Sequence, residues 1–528
     1  MGRQKKRKQR PSATPPDLAE SCRRSLKTSL GILCWDGATD ADLVTVCIQL
    51  SPLVRTLEDR NQLSATDVEE IVARLTGCCA HRRLEVRSSV WDAFSDCAAE
   101  APSIADAAVA AGLHSVALAQ FQETASESQI TLDADAPDTT SIDVRRSQSA
   151  KRTGYQSHLL RAFKLMCQAS ESPIELLKPD DFKVLCECAS ATGSRVASLE
   201  LLLVLTDGSS PAVAPLAPLW FPWAADALGG ASDASIGDPG AEVPKAPRAP
   251  MAAVIGAITL NIAAALESGR DAEGTDSSCV FTAHEQAGLT EALVDAAIQV
   301  LGEAVLSDGH DQARRVGIET LSNVFACEED SDDGEAAAPT LSGRALRSRV
   351  SKLLPASELL LSPHGLLQSV VAELKQRQKK KHQHGGSSST DDARADASAD
   401  ARADASDGEA QAAEIVSLCM QCAGAILSSC VEAELLLITA DVWQALSSAA
   451  SMLTQLTEEE QEGLLNLMSC LALRSTSPEA PAIPSSLLCA LGLDAVRWSR
   501  AVKGSRVAPI GVALLGQIAA LLSVQPVC

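Results

Sequence analysis

Cysteine is the residue type best placed to do chemistry in this chain: there are seventeen, alongside eight histidines. Cys419-x-x-Cys422 with Cys430, inside EIVSLCMQCAGAILSSC, comes nearest to a metal site. Zinc needs four N/S ligands, or three with a water in the fourth place. No second CxxC and no nearby histidine completes the set, so these thiols read as small core residues of a helix, and no metal is expected. Cys78-Cys79 and Cys186-Glu187-Cys188 read the same way. The histidines (His81, His114, His158, His284, His310, His364, His382 and His384) are scattered, the last two within the basic run KKKHQHGG. There is no Walker loop, no G-x-G-x-x-G after a strand, no H-E-x-x-H and no G-x-S-x-G. The expectation is a protein with no catalytic residues and no cofactor, hence not an enzyme.

Charge is distributed more tellingly than nucleophiles. The first ten residues, MGRQKKRKQR, place Arg3, Lys5, Lys6, Arg7, Lys8 and Arg10 together without an apolar core of the kind a secretory signal carries. Such a cluster matches the acidic groove of a nuclear import receptor, nucleic acid or an anionic membrane. It equally suits a solubilising tail, or one that folds back on the acidic body. Nucleic acid fits least: with those six charges set aside from the net −23, the remaining chain stands near −29 and repels phosphate. Lys375-Gln376-Arg377-Gln378-Lys379-Lys380-Lys381 is a second basic run, read either as another import signal or as a polar helix end. The opposite pole is Glu328, Glu329, Asp330, Asp332, Asp333 and Glu335, six carboxylates in eight residues. They cannot pack together and must project into solvent, as a plain solvated loop or as a surface steering a basic protein partner.

The elements that must carry these clusters are helices. Apolar residues make up 46% of 528 and charged residues 21%, enough to build a core. Seven Phe, six Trp and the single Tyr155 are too few aromatics for a sandwich or barrel, and Ala and Leu favour helix. The clearest pattern is LEVRSSVWDAFSDCAAEAPSIADAAVAAGLHSVALAQF, residues 84–121. There Val86, Val90, Ala93, Phe94 and Cys97 form one apolar stripe, and Gly112 separates a short helix from a longer one. Weaker copies begin at Gly193, Gln312 and Gly504. A helix set of this kind needs a stacked neighbour to bury its face, which predicts an all-α fold, an armadillo/HEAT-type α-solenoid. Its expected parts are a disordered basic tail (1–16), armadillo-like repeats (17–125), a linker (126–156) and armadillo/HEAT-like repeats (157–228). A Gly/Pro linker (229–250), HEAT-like repeats (251–327), the acidic loop (328–343) and a helical segment (344–378) follow. A low-complexity insert (379–408), containing DARADASA and DARADASD in tandem, precedes the last HEAT-like repeats (409–528).

Ala249–Leu266 and Val507–Cys528 are uncharged enough to imitate membrane spans, but interior Pro, Gly, Asn and Gln argue for buried helices and no membrane. Seventeen cysteines without a leader suit a reducing cytosol or nucleus.

In their order these features resemble the symportin/HEAT repeat-containing protein 3 family. The start MGRQKKRKQRPSATPP is similar to that family's basic, Pro-containing leader, and an armadillo-like repeat, 87–121, follows. Ile318–Val324 running into FACEEDSDDGE resembles its repeat helix ending at an acidic loop. Val442-Trp443-Gln444-Ala445-Leu446 and the late helix 506–522 resemble its C-terminal HEAT half. The resemblance implies a nuclear import adaptor and chaperone. An importin/transportin-type receptor would read the tail, though no Pro-Tyr pair says which one. The acidic loop would hold the basic large-subunit ribosomal proteins that accompany 5S ribosomal RNA, with no direct nucleic-acid contact. It further implies shuttling between cytoplasm and nucleus in the service of ribosome biogenesis. The alternative is a generic armadillo/HEAT scaffold in a cytosolic complex.

Overall fold

The computed structural model describes residues 18–133, 142–170, 172–190, 193–207, 216–229, 249–273, 285–307, 310–326, 344–384, 399–429, 432–452, 456–475 and 507–524, with a few positions between 489 and 496. Among them there is no strand, and the fold is all-α. The chain divides into two compact units, Met1–Leu205 and Thr206–Cys528. That boundary falls inside the span 157–228 expected to be one block of repeats.

In the first unit the helices are α1 (Leu18–Leu33), α2 (Asp40–Glu58), α3 (Ala65–Cys79), α4 (Leu84–Glu100), α5 (Ser103–Ala110), α6 (Leu113–Asp133) and α7 (Ile142–Ala169). The short α8 (Ser172–Glu175), α9 (Pro179–Ser190) and α10 (Arg195–Thr206) follow. Local chemistry starts two of these helices. Thr39 caps α2 and Ser64 caps α3, each exchanging hydrogen bonds with an Asp three residues on, Asp42 and Asp67. Gly112, at φ 76°, turns the chain by 80° between α5 and α6, a backbone state that a Cβ disfavours. α1 packs on α2, α2 on α4 and α4 on α7, while α3 lies against α1, α4 and α5, and α5 against α7. Trp91, Phe94 and Tyr155 are the largest side chains buried between them.

The expected linker 126–156 is corrected here. α6 continues to Asp133 and α7 begins at Ile142, so most of that stretch is helix. Among the described side chains of α7, the fully buried Tyr155 is followed along one stripe by Leu159, Ala162, Phe163 and Met166.

The second unit contains α11 (Ala217–Gly229), α12 (Ala249–Glu273), α13 (Glu285–Leu306), α14 (Asp311–Phe325), α15 (Arg344–Leu353), α16 (Ala356–Leu361) and α17 (Leu366–His384). It ends with α18 (Ala399–Ser429), α19 (Glu432–Ala450), α20 (Glu458–Arg474) and α21 (Val507–Val524). One succession of contacts runs α12, α14, α18, α20, α21. A second set, α11, α13, α16, α17 and α19, lies against it and against itself. Close approach at α13/α14 depends on Gly317, where a Cβ would come within 2.9 Å of a Val305 methyl and 3.1 Å of the Leu301 carbonyl oxygen. The low-complexity insert 379–408 is shorter than expected. α17 reaches His384 and α18 starts at Ala399, so the second octapeptide opens a helix, as alternating Ala, Arg and Asp permit.

Among the described residues two helical stretches are long and apolar enough to cross a membrane, Ala249–Leu266 and Ala412–Ser429. The first is the anticipated one, and it packs against α11, α13 and α14. The second was not singled out in the sequence. The apolar helix at the C-terminal end, Ala508–Leu521, is shorter than a span.

Candidate functional site

The two charged clusters chosen from the sequence both lie outside the described residues: the tail (Arg3, Lys5, Lys6, Arg7, Lys8, Arg10) and the acidic segment (Glu328, Glu329, Asp330, Asp332, Asp333, Glu335). What is described is the pair of helix ends that bracket the acidic segment.

α14 is amphipathic, with Ala313, Gly317, Ile318, Thr320, Leu321 and Phe325 buried. It ends at Phe325, leaving carbonyls without intrahelical donors. Arg347 of α15 supplies donors to that end: its Nε lies 3.4 Å from the Val324 oxygen and its Nη2 3.2 Å from the Ala326 oxygen. A cation here is also favoured by the negative end of the helix dipole. α14 and α15, the helices before and after residues 327–343, are therefore fastened together at this end.

α15 is in turn tied to α13. Arg349 pairs with Asp295 at 2.9 Å and with Glu291 at 3.3 Å. The hydrogen bond from Arg349 holds the Asp295 carboxyl below the usual carboxylate range, against the opposing effect of partial burial. A shallow pocket of about 470 Å³ is lined by Asp295, Ser348, Arg349, Lys352 and Leu353. Two of its polar groups, Asp295 and Arg349, satisfy each other.

The second basic run, 375–381, lies near the end of α17. Arg377 is turned inward, pairing with Glu373 at 3.3 Å and with the almost fully buried Glu460 at 2.9 Å. Lys375, Lys379 and Lys380 face solvent. Glu460 belongs to the capping box of α20: the Thr457 backbone N–H donates to its carboxylate at 2.8 Å, and its own N–H donates to the Thr457 hydroxyl.

Cys419 and Cys422 are buried in α18; burial pushes the Cys419 thiol up to about 11 and Cys422 higher still. Among the described residues no group of three or more His, Cys, Asp or Glu side chains could hold a metal ion. Cys430 lies outside them. His158 Nδ1 on α7 is 2.8 Å from Asp92 on α4, His81 Nε2 in the α3–α4 connection is 3.7 Å from Asp40, and His114 is buried.

The polar constellation that sequence reasoning missed is internal to the first unit. Gln120 accepts from the Trp91 indole at 2.9 Å and from the Tyr155 hydroxyl at 2.6 Å, while its own amide donates to the Cys79 carbonyl at 2.8 Å. The Arg87 guanidinium lies over the Tyr155 ring, 5.2 Å from its centroid. The only signal for it was the single tyrosine of the chain, standing in a stretch read as linker.

Together these features define an all-α protein. No family model matches the chain, and no curated protein matches it. Among solved structures it is similar to an engineered protein determined as a structural-genomics target, with 13% identity over 94% of this chain and 98% of that one, at a TM-score of 0.31. It is also similar to SYS-1, with 10% identity over 95% of this chain and 85% of that one, at a TM-score of 0.29. Both scores lie below the level at which a likeness defines a shared fold.

Proposed function

We propose that the chain is a non-enzymatic nuclear import adaptor and chaperone for large-subunit ribosomal proteins, built as an armadillo/HEAT-type α-solenoid. The succession α12, α14, α18, α20, α21, in which each helix packs on the next, supports the solenoid reading. The observation that carries the function is the order of features along the chain: basic leader, helical repeats, an acidic segment rooted on α14, then helical repeats again. In this reading the acidic segment shields basic cargo and the tail engages the import receptor.

The test is capture from cell lysate with the full chain and with a variant carrying Gln or Asn at Glu328, Glu329, Asp330, Asp332, Asp333 and Glu335. The variant is expected to bind the two 5S-associated ribosomal proteins about tenfold more weakly, and with a flatter salt dependence. Undiminished capture removes the loop from cargo binding. Capture of neither ribosomal protein by the unaltered chain removes the adaptor reading and favours a scaffold. A scaffold also keeps its place in the cell when residues 1–16 are deleted, whereas an adaptor is lost from the nucleus.

A further inference from the structure

Five cysteines of the first unit lie on neighbouring elements at one region of the fold: Cys34 after α1, Cys47 on α2, Cys78 and Cys79 at the end of α3, and Cys97 on α4. Cys34 is exposed, whereas the other four are buried. α1 and α3 pack together, and both end at this corner. Backbone hydrogen bonds from Cys34 to Gly31 and from Trp35 to Ile32 close the end of α1 in a tight turn, which fixes where Cys34 sits.

The Cys78 sulfur rests 3.6 Å from the carbonyl oxygen of Leu33, the residue bonded to Cys34. Standard peptide dimensions then put the Cα of Cys34 within about 7 Å of that sulfur. The Cys34 thiol donates to the Leu30 carbonyl at 3.4 Å, so a disulfide requires that side chain to turn toward Cys78 and the two Cα atoms to reach the separation of about 4.4–6.8 Å that such a bond spans. A charge on Cys34 also acts on Cys78, second only to burial in raising that thiol. Cys47, Cys79 and Cys97 are held neutral chiefly by burial.

We propose that Cys34 and Cys78 form a peroxide-responsive thiol pair, in which the exposed Cys34 is oxidised first and Cys78 resolves it to an intrachain disulfide joining the ends of α1 and α3. In the first step the Cys34 thiolate attacks one oxygen of hydrogen peroxide, giving a sulfenic acid and releasing hydroxide. In the second the Cys78 thiolate attacks the sulfenic sulfur, the S–S bond forms, and hydroxide leaves to take up the proton that Cys78 gave. Two thiols and one peroxide thus yield one disulfide and two waters. Because little of Cys78 is thiolate at neutral pH, the second step is the slower one and quickens as pH rises.

The experiment uses the full chain, exposed to hydrogen peroxide under native conditions, then alkylated, digested without reductant and sequenced by mass spectrometry. The expected product is a cross-linked peptide pair, two hydrogens lighter than its thiol components, with the bond assigned to Cys34 and Cys78 and with Cys47 and Cys79 alkylated. Dithiothreitol reverses it. In Cys34→Ser, whose exposed position leaves the helical circular-dichroism spectrum unchanged, the cross-link is lost and Cys78 is recovered alkylated. Accumulation of Cys34 sulfinic acid without a cross-link overturns the proposal. So does a bond assigned to Cys47, or a cross-link that survives in Cys34→Ser.

Discussion

Gln120 shows how one buried polar residue can hold a helix array in register. It sits on α6, yet its amide group meets α3 through the Cys79 carbonyl, α4 through Trp91 and α7 through Tyr155. Removing the Tyr155 hydroxyl leaves Gln120 with its other two partners, so Tyr155→Phe is expected to cost about 1 kcal/mol. Gln120→Ala strands an indole N–H, a phenol and a carbonyl in the core, and is expected to cost about 3 kcal/mol or more. Urea unfolding of both variants checks the order; equal losses would mean that water replaces the amide. Little of this network was legible in the sequence. A glutamine in a helical stripe looks like any solvent-facing residue, and its partners lie 29, 35 and 41 positions away. By contrast, the stripe of Val86, Val90, Ala93, Phe94 and Cys97 was readable because its period is local, and all five are buried.

At the scale of elements, what was legible depended on whether a break has a residue signature. Gly112 marks a real break and carries a positive φ. The polar residues before Tyr155 did not all mark one, because α7 is already helical from Ile142 and a helix needs only one apolar face. Capping boxes at Thr39, Ser64 and Thr457 were equally present in the sequence as Thr/Ser-x-x-Asp/Glu and would have located three helix starts. Charge runs do not show by themselves which of their members face inward. In 375–381 the sequence offers five cations, but Arg377 points at Glu460 and buttresses the start of α20. Arg377→Ala leaves a carboxylate that is nearly fully buried with only its capping partners, and is expected to destabilise the chain by about 3 kcal/mol. Lys379→Ala, on the exposed side of the same helix, is expected to change stability by less than about 0.5 kcal/mol. Thermal or urea unfolding of the two variants separates a structural arginine from a merely basic helix end; equal and small effects would return Arg377 to the surface run.

Over the whole molecule, the thiols give both units a common sensitivity. Burial raises Cys47 and Cys167 to about 12 and Cys186 and Cys188 to about 11 in the first unit, and Cys419 to about 11 in the second. An unfolded chain ionises these thiols near 8.5. Below that pH both states hold their protons, and the thiols contribute no pH dependence. Between about 8.5 and 11 the unfolded chain has lost protons that the folded chain keeps, so stability falls as pH rises. Each such thiol adds up to about 1.4 kcal/mol per pH unit to that slope. The chain is therefore expected to lose thermal stability steeply from pH 8 to 9.5 in the presence of reductant. A Cys47→Ala, Cys167→Ala double variant starts from a lower stability, because it leaves small cavities, but its decline with pH is shallower. Melts followed by circular dichroism at a series of pH values read the slope independently of the starting point. Parallel slopes for the variant and the unaltered chain would show that Cys47 and Cys167 do not set the alkaline decline.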